Sequence, residues 1–136
     1  MSAPKKATCC TPAPKLIFAC SGAADVGAIA DKAARKLSAE GAGKMFCLAG
    51  VGGRVSGIMK STEAASAILA IDGCPLDCAK HTLLQAGFTE FEHLRLTDLG
   101  MEKGQSPVSD ERVALAVVKG KSILARCAEK ECGCGG

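Results

Sequence analysis

Short apolar runs alternate along this chain with longer stretches whose apolar residues recur at helical spacing. Strands that alternate with helices in this way form a parallel sheet with right-handed crossovers. We therefore expect an α/β fold of three layers, in which a mostly parallel sheet of about four strands carries helices on both faces, as in Rossmann-like and flavodoxin-like proteins. The predicted strands are 15–20, 44–49, 67–71 and 91–96, and the main predicted helices are 25–40, 75–87 and 109–127.

The third predicted strand ends at a corner that carries two cysteines. The apolar run stops at Asp72-Gly73, and Pro75 suits the first position of a helix. Cys74 would then lie at the corner, where unpaired backbone N–H groups favour a thiolate, and Cys78 one helical turn further on the same face. Two sulfurs directed at one spot suit a metal ion, although two small core residues would give the same pattern.

Two more cysteines are predicted to lie at the same edge of the sheet. Cys20 closes the first predicted strand, and Cys47 comes late in the second. Ligands of open parallel sheets bind beyond the carboxyl ends of the strands, at the topological switch point. Since neighbouring strands are about 4.8 Å apart, the four cysteines can converge if the first three strands are adjacent.

The composition indicates where the protein is found in the cell and which partners are not expected. The 136 residues include nine cysteines, yet no apolar stretch is long enough for a signal peptide or a membrane span. We expect a cytoplasmic protein without membrane contact, whose cysteines are metal ligands or redox groups. With no Trp or Tyr and four Phe, single-stranded nucleic acid is not an expected partner. The net charge of +3 does not favour one class of partner over another, and the oligomeric state stays open.

The predicted domain spans 15–128 and is flanked by the tails 1–14 and 129–136, which we expect to be flexible. Cys9 and Cys10 lie in the first tail, and Cys132 and Cys134 lie in the glycine-rich second tail. The tails are predicted to form a second, weaker metal site or to pass metal to the main one, unless these thiols have no specific role.

The sequence resembles the DGC-domain family over about 15–125. The resemblance rests on CSGAADVG at 20–27, CLAGVG at 47–52 and the Asp-Gly-Cys-Pro-x-x-Cys stretch at 72–78. That family is regarded as zinc-binding because of four cysteines. The resemblance implies that Cys20, Cys47, Cys74 and Cys78 are the metal ligands, and it implies no established reaction.

Other sulfur and phosphate chemistries lack their motifs. None of the motif cysteines has the Arg six positions later that cysteine phosphatases need, and Cys74 and Cys78 are one residue too far apart for a thioredoxin motif. The Gly-rich segment 50–53 is predicted to be a tight turn, because Val55 replaces the third Rossmann glycine. Its N–H groups and Arg54 could still hold an anion.

Several polar side chains near the corner have open roles. Asp72 can cap the helix or support a metal ligand by a hydrogen bond, and Asp25 is a similar case at the first helix. His81 is either a surface histidine or a replacement ligand, and His93 has no visible partner.

The sequence thus predicts a protein that binds one zinc ion through four cysteines, without an assigned reaction. Closed four-thiolate sites are usually structural, but a domain of this size hardly needs a metal for its core, which leaves room for sensing, storage or transfer. The alternative is a redox or iron–sulfur protein that uses Cys74 and Cys78.

Overall fold

The structure, a computed structural model, describes residues 13–131; the tail cysteines at 9, 10, 132 and 134 lie outside this range. The elements in chain order are β1 (Lys15–Ala19), α1 (Asp25–Ala39), β2 (Lys44–Met45), α2 (Leu48–Gly52), α3 (Ser56–Ala64), β3 (Ala67–Asp72), α4 (Cys78–Gln85), β4 (Glu92–Arg95), a 3-10 helix (Leu96–Leu99) and α5 (Asp110–Glu131).

The four strands form one parallel sheet in the order β2-β1-β3-β4, which confirms the predicted fold class. The chain moves outward from β1 to β2 and then crosses to the other side of β1 to form β3. The topological switch point therefore lies between β1 and β3, the position where parallel α/β proteins bind ligands. The first three strands are adjacent, as convergence of the cysteines requires.

Alternating side chains of β1 show why both faces of the sheet are covered. Ile17 and Ala19 belong to an apolar cluster that includes α1 and α5. Leu16 and Phe18 point the other way, into a second cluster with α2 and α4. Successive strand residues face opposite sides, so a strand that is buried on both faces must be apolar throughout.

The last helix returns the chain to the amino ends of the strands. Gly120 lets α5 pack closely on α1, because a Cβ there would lie 2.7 Å from Cδ1 of Leu37. Further along, the ammonium of Lys15 donates a hydrogen bond to the carbonyl of Leu124 at 2.8 Å. No helix in the described part of the chain combines the length and apolarity that a membrane crossing requires.

Several predicted boundaries are wrong. The second strand ends at Met45 because the chain turns into α2, which occupies the predicted tight turn at 50–53. The ring of Phe46 packs edge-on against Phe18 at 6.1 Å between centroids, which holds this turn against the sheet. The last helix, α5, continues to Glu131 rather than ending near Cys127.

Candidate metal centre

Cys20 lies at the switch point. Its backbone N–H donates to the carbonyl of Ile71 at 3.0 Å, which extends the β1–β3 ladder one residue beyond Ala19. Cys20 is therefore level with Asp72, two positions before Cys74. Its half-buried side chain packs against both apolar clusters.

Cys47 lies on the other side of β1. The N–H of Phe46 donates to the carbonyl of Ile17 at 2.8 Å, which keeps the chain beside β1 just past the end of β2. Cys47 then caps α2, and its carbonyl accepts the N–H of Gly50 at 3.1 Å. The prediction that Cys47 sits in a strand is wrong, but this exposed cysteine still lies at the carboxyl edge.

The corner that carries Cys74 and Cys78 is longer than predicted. Because α4 begins at Cys78, Pro75 is not the first residue of the helix and Cys74 lies in the loop after β3. Cys74 and Cys78 therefore do not lie one turn apart on a helix, and that prediction is wrong. The N–H of Asp77 instead donates to the carbonyl of Cys74 at 3.1 Å and closes a turn, which holds the Cα atoms of its ends within about 7 Å.

The side chain of Asp72, the last residue of β3, caps the start of α4. One carboxylate oxygen accepts the N–H of Ala79 at 2.7 Å, and the other accepts the N–H of Lys80 at 3.1 Å. The residue is only 1% exposed, so these N–H groups stabilise a buried negative charge. Asp72 is thus a helix cap, one of the two roles that the sequence left open.

His93 has a partner that sequence reasoning missed. Its Nε2 lies 2.8 Å from Oδ2 of Asp72 and 3.7 Å from Oδ1 of Asp77. The contact arises because β4 pairs with β3, with His93 opposite Ala70. No local pattern gives this register, so the sequence alone held no signal for it.

Asp77 joins the corner to β4 through an ion pair. Nε and Nη2 of Arg95 donate to its two oxygens at 2.8 and 2.7 Å. These hydrogen bonds and the charge of Arg95 lower the pKa of Asp77 below its ordinary value. No local sequence pattern predicted the contact of Arg95 either, because it also depends on the pairing of β4 with β3.

Asp72, Asp77 and His93 are the group of three possible metal-ligand atoms within 4.8 Å of one another in the described range 13–131. The four cysteine sulfurs at this edge do not form such a group. Both carboxylates are already engaged, by the start of α4 and by Arg95. An ion there would have to displace these donors, so we interpret the group as a hydrogen-bonded support for the corner.

Two of the other cysteines affect the pKa of Cys78. Desolvation raises the pKa of the Cys78 thiol, and negative charge on Asp72, Cys20 and Cys74 raises it further, while Lys103 opposes the rise. Coulomb interactions fall with distance, so Cys20 and Cys74 are electrostatic neighbours of Cys78. Cys78, although it begins α4, therefore keeps its proton more readily than an ordinary cysteine.

A cleft of about 1150 Å³ lies beside β2 and connects Cys47 with Cys20, the electrostatic neighbour of Cys78. Cys20 and Cys47 both line it. Its walls are largely apolar, with Arg35 and Lys44 among the lining residues. Cys20 thus lies between the other cysteines: it lines the same cleft as Cys47, and it lies across the β1–β3 boundary from Cys74 and Cys78.

The segment after the 3-10 helix borders the other side of the corner. A cavity of about 770 Å³ is lined by Cys74 on one side and by Thr97 and residues 100–103 on the other. Asp25 holds this segment by accepting the N–H groups of Gly104 at 2.9 Å and Ser106 at 3.0 Å. These two hydrogen bonds, with a smaller one from Val26, lower the pKa of Asp25, against an opposing effect of desolvation.

Two other candidates have structural surroundings. Arg54 donates to the carbonyls of Val51, Gly52 and Gln85 and so joins the ends of α2 and α4, which contradicts a role in holding an anion. His81 is exposed on α4, as a surface histidine would be.

Fold and site together define a small parallel α/β protein with thiol groups at its switch point. A model of the DGC domain matches residues 16–119, which is most of the chain. A Pseudomonas aeruginosa strain PAO1 protein, the anaerobic and virulence modulator AnvM, is 38% identical over 88 residues, which cover 65% of this chain and 67% of that protein. No solved structure matches the chain. The chain belongs to the DGC domain family.

Proposed function

We propose that this protein binds one zinc ion through Cys20, Cys47, Cys74 and Cys78, and that it senses or transfers the metal. The observation that carries the proposal is the position of these four thiols after three adjacent parallel strands, around the switch point between β1 and β3.

The donor set suits zinc. Thiolates hold zinc at about 2.3 Å in a tetrahedral arrangement. Such a centre carries excess negative charge, and Lys103 is close enough to act on the charge of Cys78. When bound, zinc would draw the four sulfurs together and displace their protons.

The exposure of the ligands favours exchange of the metal. Cys47 and Cys78 are exposed, and Cys20 and Cys74 are half-buried. Because the sulfurs are not clustered within 4.8 Å, zinc binding requires side-chain rotation and small loop shifts. A site that closes only on binding suits sensing or transfer better than permanent structural use. The description of AnvM as a modulator is compatible with such a role.

Hydrogen bonds of Asp72 and Asp77 at the corner limit those loop shifts. Asp72 fixes the start of α4, and the Asp77–Arg95 pair fixes the end of the Cys74 turn to β4. Cys78 therefore has a set position, and closure around the metal falls mainly to the side chains of Cys20, Cys47 and Cys74.

The test is elemental analysis of the full chain, purified in reductant without added metal or a histidine tag. We expect one zinc that resists a weak chelator, and almost none in Cys74→Ser or Cys78→Ser. Cys127→Ser, which changes a cysteine away from this edge, should keep that ion.

A full equivalent of tightly held zinc in Cys74→Ser would overturn the assignment. Zinc thiolates are colourless, whereas iron–sulfur centres are brown, so brown protein that contains iron would support the redox alternative instead.

A further inference from the structure

The cleft beside β2 is larger than its two cysteines require. Its volume of about 1150 Å³ slightly exceeds the range of about 300–1,000 Å³ that is usual for small-molecule sites. Cys20 and Cys47 line it at the carboxyl edge, but the lining continues along α1 and β2 to Ala39 and Lys44. The cleft therefore has room for a molecule in addition to a metal ion.

One wall of the cleft is a polar row on α1. Asp31, Arg35 and Ser38 line the cleft in that order, and their spacing places them on one side of the helix. The hydroxyl of Ser21 donates to Asp31 at 2.7 Å. The hydroxyl of Ser38 accepts the N–H of Met45 at 3.0 Å. Both ends of the row are thus tied to segments that follow strands, and Arg35 lies between the two ties.

The charges of the lining are unequal. Nε of Arg35 donates to Oδ2 of Asp31 at 2.7 Å, and the Arg35 side chain is 69% exposed. Because this contact uses Nε, the two Nη groups can bind a carboxylate as a fork. Lys44 is a second, exposed cation. With Arg35 and Lys44 positive and Asp31 negative, the lining carries one excess positive charge, which matches a monoanion better than a dianion.

The facing wall of the cleft is apolar. Leu48 of α2 and Ile58 of α3 are half-buried, and they belong to the apolar cluster on the sheet face opposite α1. Ile58 packs tightly on α2, since a Cβ at Gly50 would lie 2.7 Å from Cγ1 of Ile58. Covering such partly exposed apolar surface is favourable. The cleft thus combines a cationic wall with an apolar wall.

We propose that this cleft binds an organic monoanion, a carboxylate with an apolar body, whose charged end contacts Arg35 and Lys44. Lys44 is three residues before Cys47, a separation of at most about 10 Å along the chain. An apolar body of about that length extends from the cations to the thiols of Cys20 and Cys47. The two walls do not include a metal ion, so the site does not depend on the zinc centre proposed above.

The test uses the reduced full chain with anilinonaphthalene sulfonate, an aromatic monoanion whose fluorescence rises in apolar surroundings. We expect one probe molecule per chain, displaced by decanoate. Decanol, which has the body without the charge, should displace it about fivefold less well or worse, because an exposed ion pair contributes up to about that factor. Added salt should weaken displacement by decanoate and leave displacement by decanol unchanged.

Variants of exposed residues place the ligand in the cleft. Arg35→Gln and Lys44→Gln should each bind decanoate up to about fivefold more weakly. Lys36→Gln is the matched control, because it removes an exposed charge next to Arg35 from a side chain that does not line the cleft. Ala49→Phe, which fills the cleft from α2, should abolish binding of both decanoate and decanol.

Several results would overturn the proposal. Decanol that binds as tightly as decanoate, or cation variants that behave like Lys36→Gln, would exclude an anionic ligand. Tighter binding of decyl phosphate would exclude the monoanion. Probe binding that survives Ala49→Phe would lie elsewhere on the protein. Probe binding that appears only when dilution dissociates a dimer would show that a second copy covers the cleft.

Cys74→Ser separates this proposal from the proposed function, because Cys74 does not line the cleft. Unchanged decanoate binding in this variant, with the expected effects of Arg35→Gln and Lys44→Gln, supports the anion site even if the variant keeps its zinc and the metal assignment fails. Loss of decanoate binding together with zinc would show that the metal forms the cleft, and it would overturn an independent site.

Discussion

Gly73 sets the distance between the cysteine corner and the first helix. A Cβ at this position would lie 2.8 Å from the backbone carbonyl carbon and oxygen of Val26. Backbone atoms at the start of α1 cannot move aside as a flexible side-chain end can. The glycine of the Asp-Gly-Cys sequence is thus a packing requirement that brings Cys74 close to the body of the domain.

We predict that Gly73→Ala destabilises the protein by about 1–3 kcal/mol, the usual cost of overpacking, and weakens zinc binding because Cys74 is displaced. Urea unfolding and competition with a chromophoric chelator measure the two effects. Gly57→Ala is the control: no atom lies within 4 Å of its Cβ, and alanine in a helix is better than glycine by up to about 1 kcal/mol. Equal stability of the two variants would contradict this account of Gly73.

Asp77 combines an unusual backbone with an ion pair. Its φ of 54° and ψ of 47° are left-handed, a conformation that Asp and Asn tolerate better than most residues. Its carboxylate holds Arg95 through two hydrogen bonds. The residue therefore fixes both the path of the corner and its distance from β4.

Substitutions at Asp77 should separate these two contributions. Asp77→Ala loses both, and we expect it to cost about 1.5–3 kcal/mol, which is the range for hydrogen bonds to charged groups. Asp77→Asn keeps the left-handed preference and one acceptor, so it should cost less. Thermal melts of the metal-free variants check the order; if Asn costs as much as Ala, the backbone preference contributes nothing.

At the scale of single residues, the sequence pointed to the cysteines and to Asp72, but not to the side chains that hydrogen-bond with the corner. The four cysteines and the role of Asp72 as a possible cap follow from local patterns. The partners His93 and Arg95 come from β4, and their meeting with Asp72 and Asp77 depends on the β3–β4 register. Such pairing is non-local, so no spacing rule along one segment can find it.

At the scale of elements, strong apolar periodicity predicted most of the sheet and the long helices. The failures are short elements. β2 keeps two residues because Phe46 turns against Phe18, and α2 forms despite two glycines because Val51 is buried between the sheet and α4. Tertiary packing decides such five-residue helices, since propensity alone does not stabilise them.

Asp25 joins two elements that are distant in sequence, the start of α1 and the segment 104–106. Its pKa is lowered in the folded protein, chiefly by the hydrogen bond from Gly104. The carboxylate therefore stabilises the fold above the pKa that it has in the unfolded chain, and this stabilisation is lost as the pH falls through its lower, folded-state value.

We therefore predict that Asp25→Asn is less stable than the natural protein at pH 7, and that the difference shrinks as the pH falls below about 3.9, the ordinary pKa of Asp. Thermal melts of metal-free protein between pH 7 and pH 3 measure it. Glu63→Gln, an exposed site on α3, is the matched control and should show no such trend. A difference that stays constant with pH would mean that the charge of Asp25 is not involved.

At the scale of the whole molecule, the sheet does not need a metal to hold it together. Two apolar clusters bury both of its faces, and their members come from β1, β3 and β4 and from α1, α2, α4 and α5. A metal ion bound at the carboxyl edge, as we propose, would join loops that already have a fixed start and end. Its contribution should therefore be an increment of stability rather than a condition for folding.

That increment can be predicted from mass action. If zinc binds only the native state, free zinc at 100 times the dissociation constant adds about 2.7 kcal/mol. A strong chelator should thus lower the melting temperature by several degrees and leave the far-ultraviolet circular dichroism at 25 °C unchanged. Cys74→Ser, without the tight ion, should melt at the same temperature with and without chelator. Unfolding at 25 °C would instead show that the two apolar clusters cannot maintain the sheet alone. An unchanged melting temperature after verified zinc loss would show that the metal does not contribute to the stability of the native state.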